Sequence, residues 1–338
     1  MTLEELQSVV LGLSMPKFTA AQIARWLYVG RVTSIDEMTN LSKKAREVLK
    51  ENYSVGREKP IFSAESVDGT KKYLFETGKG RAIESVYIPD KDRATLCISS
   101  QVGCRMNCRF CMTGRQGFHG NLSATEILNQ ILSIPESENL TNIVYMGMGE
   151  PMDNIDSVLK SIEVMTAPWG LAWSPRRITV SSIGKLDNLK RLLEETQVHV
   201  AISVHSPFEK ERASLMPVEH AYPITKVVNL LSQFDFKHQR RCSVEYIMWN
   251  NLNDDLQHAR KLAELIKKIP GVRINLIRYH SVPEVPDLTT SPEEKMIAFR
   301  DFLNEKGFLA TIRTSRGEDI MAACGQLSGN FNDINHSS

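Results

Sequence analysis

At 338 residues the chain exceeds the roughly 250 to 300 at which a single hydrophobic core stops growing, so one large domain with a smaller companion is expected. Its 42% hydrophobic and 24% charged residues are those of a soluble globular protein, and no uncharged apolar run approaches the roughly 18 residues of a membrane span. A net charge of +1 supplies no global attraction for polyanions, so any nucleic-acid surface must be local.

The opening MTLEELQSVV carries acids where a signal peptide would carry basic residues, so a cytoplasmic protein with no membrane partner is expected. Thiols stay reduced there, and clustered cysteines then read as metal ligands or catalysts. Residues 1–55 show apolar residues at helical spacing in LEELQSVVLGL, Thr19 to Leu27 and Ser42 to Glu51, which predicts a small helical accessory domain. Its basic residues Lys17, Arg25, Arg31, Lys43, Lys44, Arg46 and Lys50 fit either a phosphate-facing surface or an ordinary solvated face. Residues 56–92 change texture. The segments FSAESV, KKYLFET and AIESVYI, with Asp68-Gly69 and Gly78-Lys79-Gly80 as turns, predict an antiparallel ribbon.

Over 93–325 six β-rich runs alternate with six segments of helical period. The strands are Thr95 to Ser100, Asn142 to Met148, Arg177 to Ser182, His199 to Val204, Ser243 to Trp249 and Arg273 to Tyr279. The helices are Thr125 to Ser133, Ile155 to Met165, Leu186 to Glu195, Ile224 to Phe234, Asp255 to Ile269 and Pro292 to Lys306. Parallel neighbours need a crossover, and helices supply it. Six units are too few for a closed eight-stranded barrel, so the expected fold is α/β, an incomplete (β/α)6 barrel. A last short strand, Ala310 to Arg313, and a tail over 326–338 complete the chain.

In such a fold the functional groups gather at the carboxyl ends of strands. Cys104, Cys108 and Cys111, spaced C-x3-C-x2-C, lie after the first strand, with Cys97 seven residues upstream of Cys104. A structural zinc site wants four ligands, whereas three cysteines on a four-iron cluster leave one iron open to a small chelating ligand. A zinc loop completed by His119 or Cys97 remains the alternative, giving a non-catalytic RNA-binding module. Gly149 and Glu150 end the second strand, Ser181 and Ser182 the third, and Ser203, Val204 and His205 the fourth, while Asn275 lies in the sixth. Cys324 has small neighbours, as a nucleophile's approach requires, and Cys242 reads as structural.

The wording RATLCISSQVGCRMNCRFCMTGRQGF, MGMGEP, SPRRITVSSIG, ISVHSP, INLIRYH and RGEDIMAACGQL resembles the RlmN/Cfr family of radical S-adenosylmethionine (SAM) RNA adenine methyltransferases over nearly the whole chain. The resemblance implies a radical SAM barrel with a [4Fe-4S] cluster on Cys104, Cys108 and Cys111, and two SAM molecules per turnover. It implies cofactor contacts at Gly149, Glu150, Ser181, Ser203, Val204, His205 and Asn275. Cys324 would carry a methyl group, Cys97 would pair with it in a disulfide bond during product release, and Glu84 would accept a proton. Pro151, RATLC and RGEDI resemble the RlmN branch, which acts on adenine carbon 2 in 23S rRNA and tRNA. SPRR and INLIRY lean toward the branch that methylates carbon 8 of the rRNA adenosine and confers antibiotic resistance. Met321 stands where an acidic residue is usual. A monomer served by a flavodoxin- or ferredoxin-type electron donor is expected. Arg105, Arg109, Arg115, Arg176, Arg177, Arg240, Arg241, Arg313 and Arg316 are the expected basic rim for RNA.

Overall fold

The computed structural model describes residues 1–78, 81–238, 240–281 and 285–329. The expected turn at Lys79-Gly80 and most of the 326–338 tail lie outside these residues. The N-terminal helices are α1 (Leu3–Gly12), α2 (Thr19–Ala24) and α3 (Lys43–Asn52). A capping box starts α1, in which the Thr2 hydroxyl accepts from Glu5 N–H and the Glu5 carboxylate accepts from Thr2 N–H. The bundle leans on the large domain through Tyr28 against Trp169 and an ion pair between Glu5 and Lys160.

The ribbon comprises β1 (Phe62–Glu65), β2 (Lys71–Thr77) and β3 (Arg81–Asp90), and it runs antiparallel into β4 (Arg93–Cys97). A hairpin of β5 (Gln101–Gly103) and β6 (Phe118–Asn121) brackets the short helix α4 (Met112–Arg115). The repeating part continues with α5 (Ala124–Leu132), β7 (Asn142–Tyr145), α6 (Ile155–Thr166), β8 (Ile178–Ser182), α7 (Leu186–Glu195) and β9 (His199–Ser203). After β9 come α8 (Glu209–Leu215), α9 (Ile224–Leu231), β10 (Cys242–Met248), α10 (Leu256–Ile266), β11 (Arg273–Arg278), α11 (Glu293–Glu305) and β12 (Leu309–Ile312).

All strands except β5 and β6 form one ten-stranded sheet in the order β1-β2-β3-β4-β7-β8-β9-β10-β11-β12, parallel from β4 onward. The order is that of an open barrel, as expected, and the ribbon extends the same sheet across β4. Central strands are apolar on both faces because helices cover one side and the barrel interior the other: Val200, Ala201 and Ile202 of β9 and Val244 and Tyr246 of β10 are buried. The small residues and hairpin between β4 and α5 disguise β5 and β6 in the sequence, and α8 hides among charges.

Candidate active site

Cys97 is the last residue of β4, paired with Val86 of β3 and Val144 of β7. The chain then enters the β5–β6 hairpin, whose pinch is Gly103. Its φ is 72°, and a Cβ there would lie 1.9 Å from the Gly117 carbonyl oxygen, which accepts from Cys104 N–H at 2.9 Å. Only glycine lets the hairpin close this tightly just before the first of the three cysteines.

Cys104 and Cys108 are buried and Cys111 is half-buried. Their loop is fastened to distant parts of the chain. Arg109 N–H donates to Leu215 O at 2.9 Å, Met112 N–H to Gly325 O at 2.8 Å, and the Thr113 hydroxyl to Leu327 O at 2.7 Å. The last two bonds tie the cysteine loop to the segment carrying Cys324, although Thr113 and Leu327 are 214 residues apart in sequence. Burial raises the thiol pKa values, that of Cys104 to about 12, and the nearby Cys111 and Cys104 sulfurs raise Cys108 further. Such thiols hold their protons until a bound cation replaces them.

Among the described residues no three Cys, His, Asp or Glu side chains close round a point as a single metal ion requires. Thiolates round a tetrahedral zinc lie roughly 4 Å apart, while a cubane cluster binds each thiolate through its own iron and spreads them more widely. His119, the alternative fourth zinc ligand, instead holds the Gln116 carbonyl at 2.9 Å. Three thiols from one loop, with His119 turned to a carbonyl, make the donor set of a cluster with one open iron rather than the four ligands of a structural zinc site. Beside it, Trp249 packs on Phe110 of the loop, and its indole N–H is buried without a hydrogen-bond partner among the described residues. An orphaned buried donor costs about 1–3 kcal/mol.

The strand-end glycines bring backbone onto backbone. A Cβ on Gly147 would sit 2.8 Å from Ile98 C and O, and one on Gly149, whose φ is 97°, 2.5 Å from Gln101 Cβ. Glu150, buried just beyond, accepts from the Ser182 hydroxyl at 2.7 Å, Met152 N–H at 3.1 Å and Ile183 N–H at 3.1 Å. Burial nonetheless lifts its pKa to about 7, because those bonds offset only part of the desolvation. The carboxylate thus has about one lone-pair site to spare and a strong reason to gain a cationic donor. Ser181, one residue before Ser182 on β8, is half-buried.

Ser203 ends β9, Val204 is buried and His205 adopts a left-handed backbone with φ 58°. The His205 imidazole accepts from Ile247 N–H through Nδ1 at 3.0 Å and meets Phe110 edge-on at 4.9 Å between centroids. Burial, with Arg212 adding to it, lowers its pKa to about 3, so the ring stays neutral. It braces the cysteine loop, and Asn253 holds the His205 carbonyl at 2.6 Å. Arg212, which nothing in the sequence pattern singles out, is fully buried on α8. It pairs with buried Glu219 and donates to Val204 O at 3.1 Å, Ser203 O at 3.0 Å and Ile183 O at 3.3 Å, joining the ends of β8 and β9.

Asn275 donates to Glu245 at 2.8 Å, and Ser243 donates to the same carboxylate oxygen at 2.6 Å. Cys324 is exposed, but surrounding protein, Glu245 and Cys111 raise its thiol pKa while Arg313 opposes them. Burial and the Cys324 sulfur raise that of Cys97, so the two thiols feel each other across the site. The implied disulfide is absent: Cys97 and Cys324 are both free, the first buried at a strand end and the second in an exposed loop. Cys242 is fully buried, as a structural cysteine should be.

Glu84 is buried in β3. One oxygen lies 3.0 Å from Lys72 Nζ, and the other accepts from Ser328 N–H at 2.8 Å and Gly329 N–H at 3.1 Å. The segment after Cys324 is thereby latched to the ribbon. Sequence offered no sign of this latch, since its donors are backbone amides.

The expected single basic rim divides in two. Arg105, paired with Asp153 and stacked on Phe118, and Arg109, paired with Asp287, flank the cysteine loop. Arg176, Arg177, Arg240 and Arg241 lie instead before β8 and β10, at the amino ends. The expectation failed because it counted strand ends without distinguishing the two edges of a parallel sheet. Arg177 is also spent on structure, stacking on Trp173 and donating to Thr141 O at 2.6 Å.

An open parallel barrel carrying a three-cysteine loop at its carboxyl edge defines the radical SAM class, and the superfamily model matches residues 98–265. Residues 1–55 match the ribosomal RNA large subunit methyltransferase N-terminal domain. The chain is 57% identical to a probable dual-specificity RNA methyltransferase RlmN of Parabacteroides distasonis, over 97% of this chain and 95% of that one. It is 41% identical to the dual-specificity RNA methyltransferase RlmN of Syntrophus aciditrophicus, with the same coverage. A crystal structure of a radical SAM methyltransferase from Sphaerobacter thermophilus superposes with a TM-score of 0.91 at 35% identity, covering 98% of both chains. The chain belongs to the RlmN family of radical SAM RNA methyltransferases. Among the described residues no helix is long and apolar enough to cross a membrane.

Proposed function

We propose that this enzyme methylates carbon 2 of an adenosine in 23S rRNA and in tRNA, using Cys324 as a methyl carrier. A [4Fe-4S] cluster held by Cys104, Cys108 and Cys111, when bound and reduced, supplies the electron that splits SAM into methionine and a 5′-deoxyadenosyl radical. Glu150 would hold the SAM ammonium, with the backbone of Ser203, Val204 and His205, the Gly149 loop, Ser181 and Asn275 completing the cradle. Cys324 takes its methyl from a first SAM by displacement, then gives up a hydrogen atom from that methyl to the radical. The remaining carbon radical bonds to the electron-poor ring carbon, which has no lone pair for ordinary polar methylation. The adduct gives up one electron and Glu84 accepts the ring proton. The Cys97 thiolate then attacks the Cys324 sulfur, so that a transient sulfur–sulfur bond forms as the sulfur–carbon bond breaks. The released carbon takes a proton to become the product methyl, and two electrons from the reducing donor restore both thiols.

The observation that carries this reading is the pair of hydrogen bonds from Met112 and Thr113 to Gly325 and Leu327, which supports a methyl carrier beside a radical source. The family resemblance supports the roles of Glu84 and Cys97. A monomer in the cytoplasm, served by a flavodoxin- or ferredoxin-type donor, completes the proposal. Nucleoside mass spectrometry of rRNA and tRNA from cells with and without the gene tests it. Loss of 2-methyladenosine from both pools is expected; loss of 8-methyladenosine alone would overturn the carbon-2 assignment.

A further inference from the structure

A cavity of about 420 Å³ opens at the amino ends of β8 to β12, on the opposite edge of the sheet from the cysteine loop. Arg176, Lys237, Arg240, Arg241 and Arg273 line it together with His199, and among the described residues no carboxylate does. In a chain of net charge +1 this is a local excess of cations with its balancing acids elsewhere. Some of these groups are committed to the fold: Arg240 donates to Leu193 O at 2.6 Å, and Arg176 reaches His238 O at 3.4 Å. Asp235, whose charge reaches Arg240, is engaged by His238 at 2.7 Å. Arg241 and Arg273 are different. Among the described residues neither guanidinium has a hydrogen-bond or ion-pair partner, and Arg241 is exposed while Arg273 is half-buried. His199, whose Nδ1 already accepts from Arg241 N–H at 3.0 Å, sits among the charges of Arg241, Arg176 and Arg273 and is kept neutral by burial and by them. It therefore presents its other ring nitrogen as a donor.

Like charges gathered in a concave, partly dehydrated space repel one another unless an anion enters, and guanidinium forks match phosphate oxygens in geometry. We infer that this cavity is a phosphate-binding site for the backbone of the RNA substrate, engaging a segment remote from the methylated adenosine. The strands between the two edges are five to seven residues long, so the sites are about 20 Å apart, within reach of one folded RNA. The inference rests on the RNA methyltransferase activity for its choice of phosphate source.

The test uses the full-length, cluster-loaded enzyme and a structured ribosomal RNA transcript, with affinity measured by fluorescence anisotropy across a salt series. The Arg241→Ser/Arg273→Ser double variant is expected to bind about tenfold or more weakly at physiological salt, and its log K against log salt slope to fall by about 2. Iron content and melting temperature equal to wild type show that the variant is folded, and Arg273→Lys, which keeps the charge, should retain most of the salt slope. Unchanged RNA affinity and slope would overturn the inference. Displacement of a fluorescent tripolyphosphate probe by the mutations, with RNA binding unchanged, would also overturn it by assigning the site to small free polyphosphates. Methylation of the same transcript by the wild type is read separately, so failure of the activity is distinguished from failure of the docking site.

Discussion

At the carboxyl edge of the sheet, Glu150, Arg212 and Glu219 are buried and matched by hydrogen bonds or an opposite charge, whereas at the amino edge Arg241 and Arg273 face a cavity that no described carboxylate lines. The first edge holds its polar groups in fixed positions before any ligand arrives, which is what chemistry on one carbon requires. The second offers charge without geometry tight enough for chemistry, which suits the repetitive anionic backbone of a nucleic acid. The same strands produce both because their two ends are unrelated surfaces.

The contrast breaks first at the cysteine loop. Cys108→Ala should abolish iron incorporation and lower methyl transfer at least about a thousandfold, measured by iron analysis and turnover after anaerobic reconstitution. Undiminished iron in this variant would remove the cluster from the account. Next comes the bridge between β8 and β9. Arg212→Met leaves Glu219 buried without its partner and three carbonyls short of a donor, and should destabilise the fold by about 3–5 kcal/mol in denaturant titration. A loss within experimental error would show that the pair is dispensable.

Glu150 gives a pH signature. Its folded pKa of about 7 lies above the unfolded value, so the folded protein binds the proton more tightly. Stability from this group is present at low pH and is lost as pH rises from about 4.5 to 7, by about 3 kcal/mol in protein lacking cofactors. Glu150→Gln should flatten that part of the profile, while pointing an amide N–H at Ile183 N–H and weakening SAM binding. An identical profile in wild type and variant would contradict the assignment. The smallest effect should come from Arg109→Ala, whose ion pair with Asp287 is exposed, at no more than about 0.5 kcal/mol of stability.

How much of this was legible in the sequence depended on periodicity. The parallel strands and their helices were readable because β-branched runs at helical intervals leave few alternatives, and β12 lies within a residue of the expected Ala310 to Arg313. The β5–β6 hairpin was not, since its three- and four-residue strands rely on Gly103 and Gly117, which read as an ordinary loop. Cys104, Cys108 and Cys111 announced themselves by spacing. Arg212 did not, because KERAS reads as a solvated helix face, and only the tertiary position of α8 turns it inward. Glu84 could be singled out only through family resemblance; the ribbon's pairing with β4 is what brings it to the Cys324 segment.

In the proposed mechanism Cys324 bonds covalently to the RNA base during turnover, and Cys97 releases it. Incubating the Cys97→Ala enzyme with reductant, SAM and RNA, then digesting with nuclease and protease, tests this by mass spectrometry of the Cys324 peptide. A peptide bearing a methylene-linked adenosine nucleotide is predicted. An unmodified Cys324 peptide alongside methylated RNA would contradict the account.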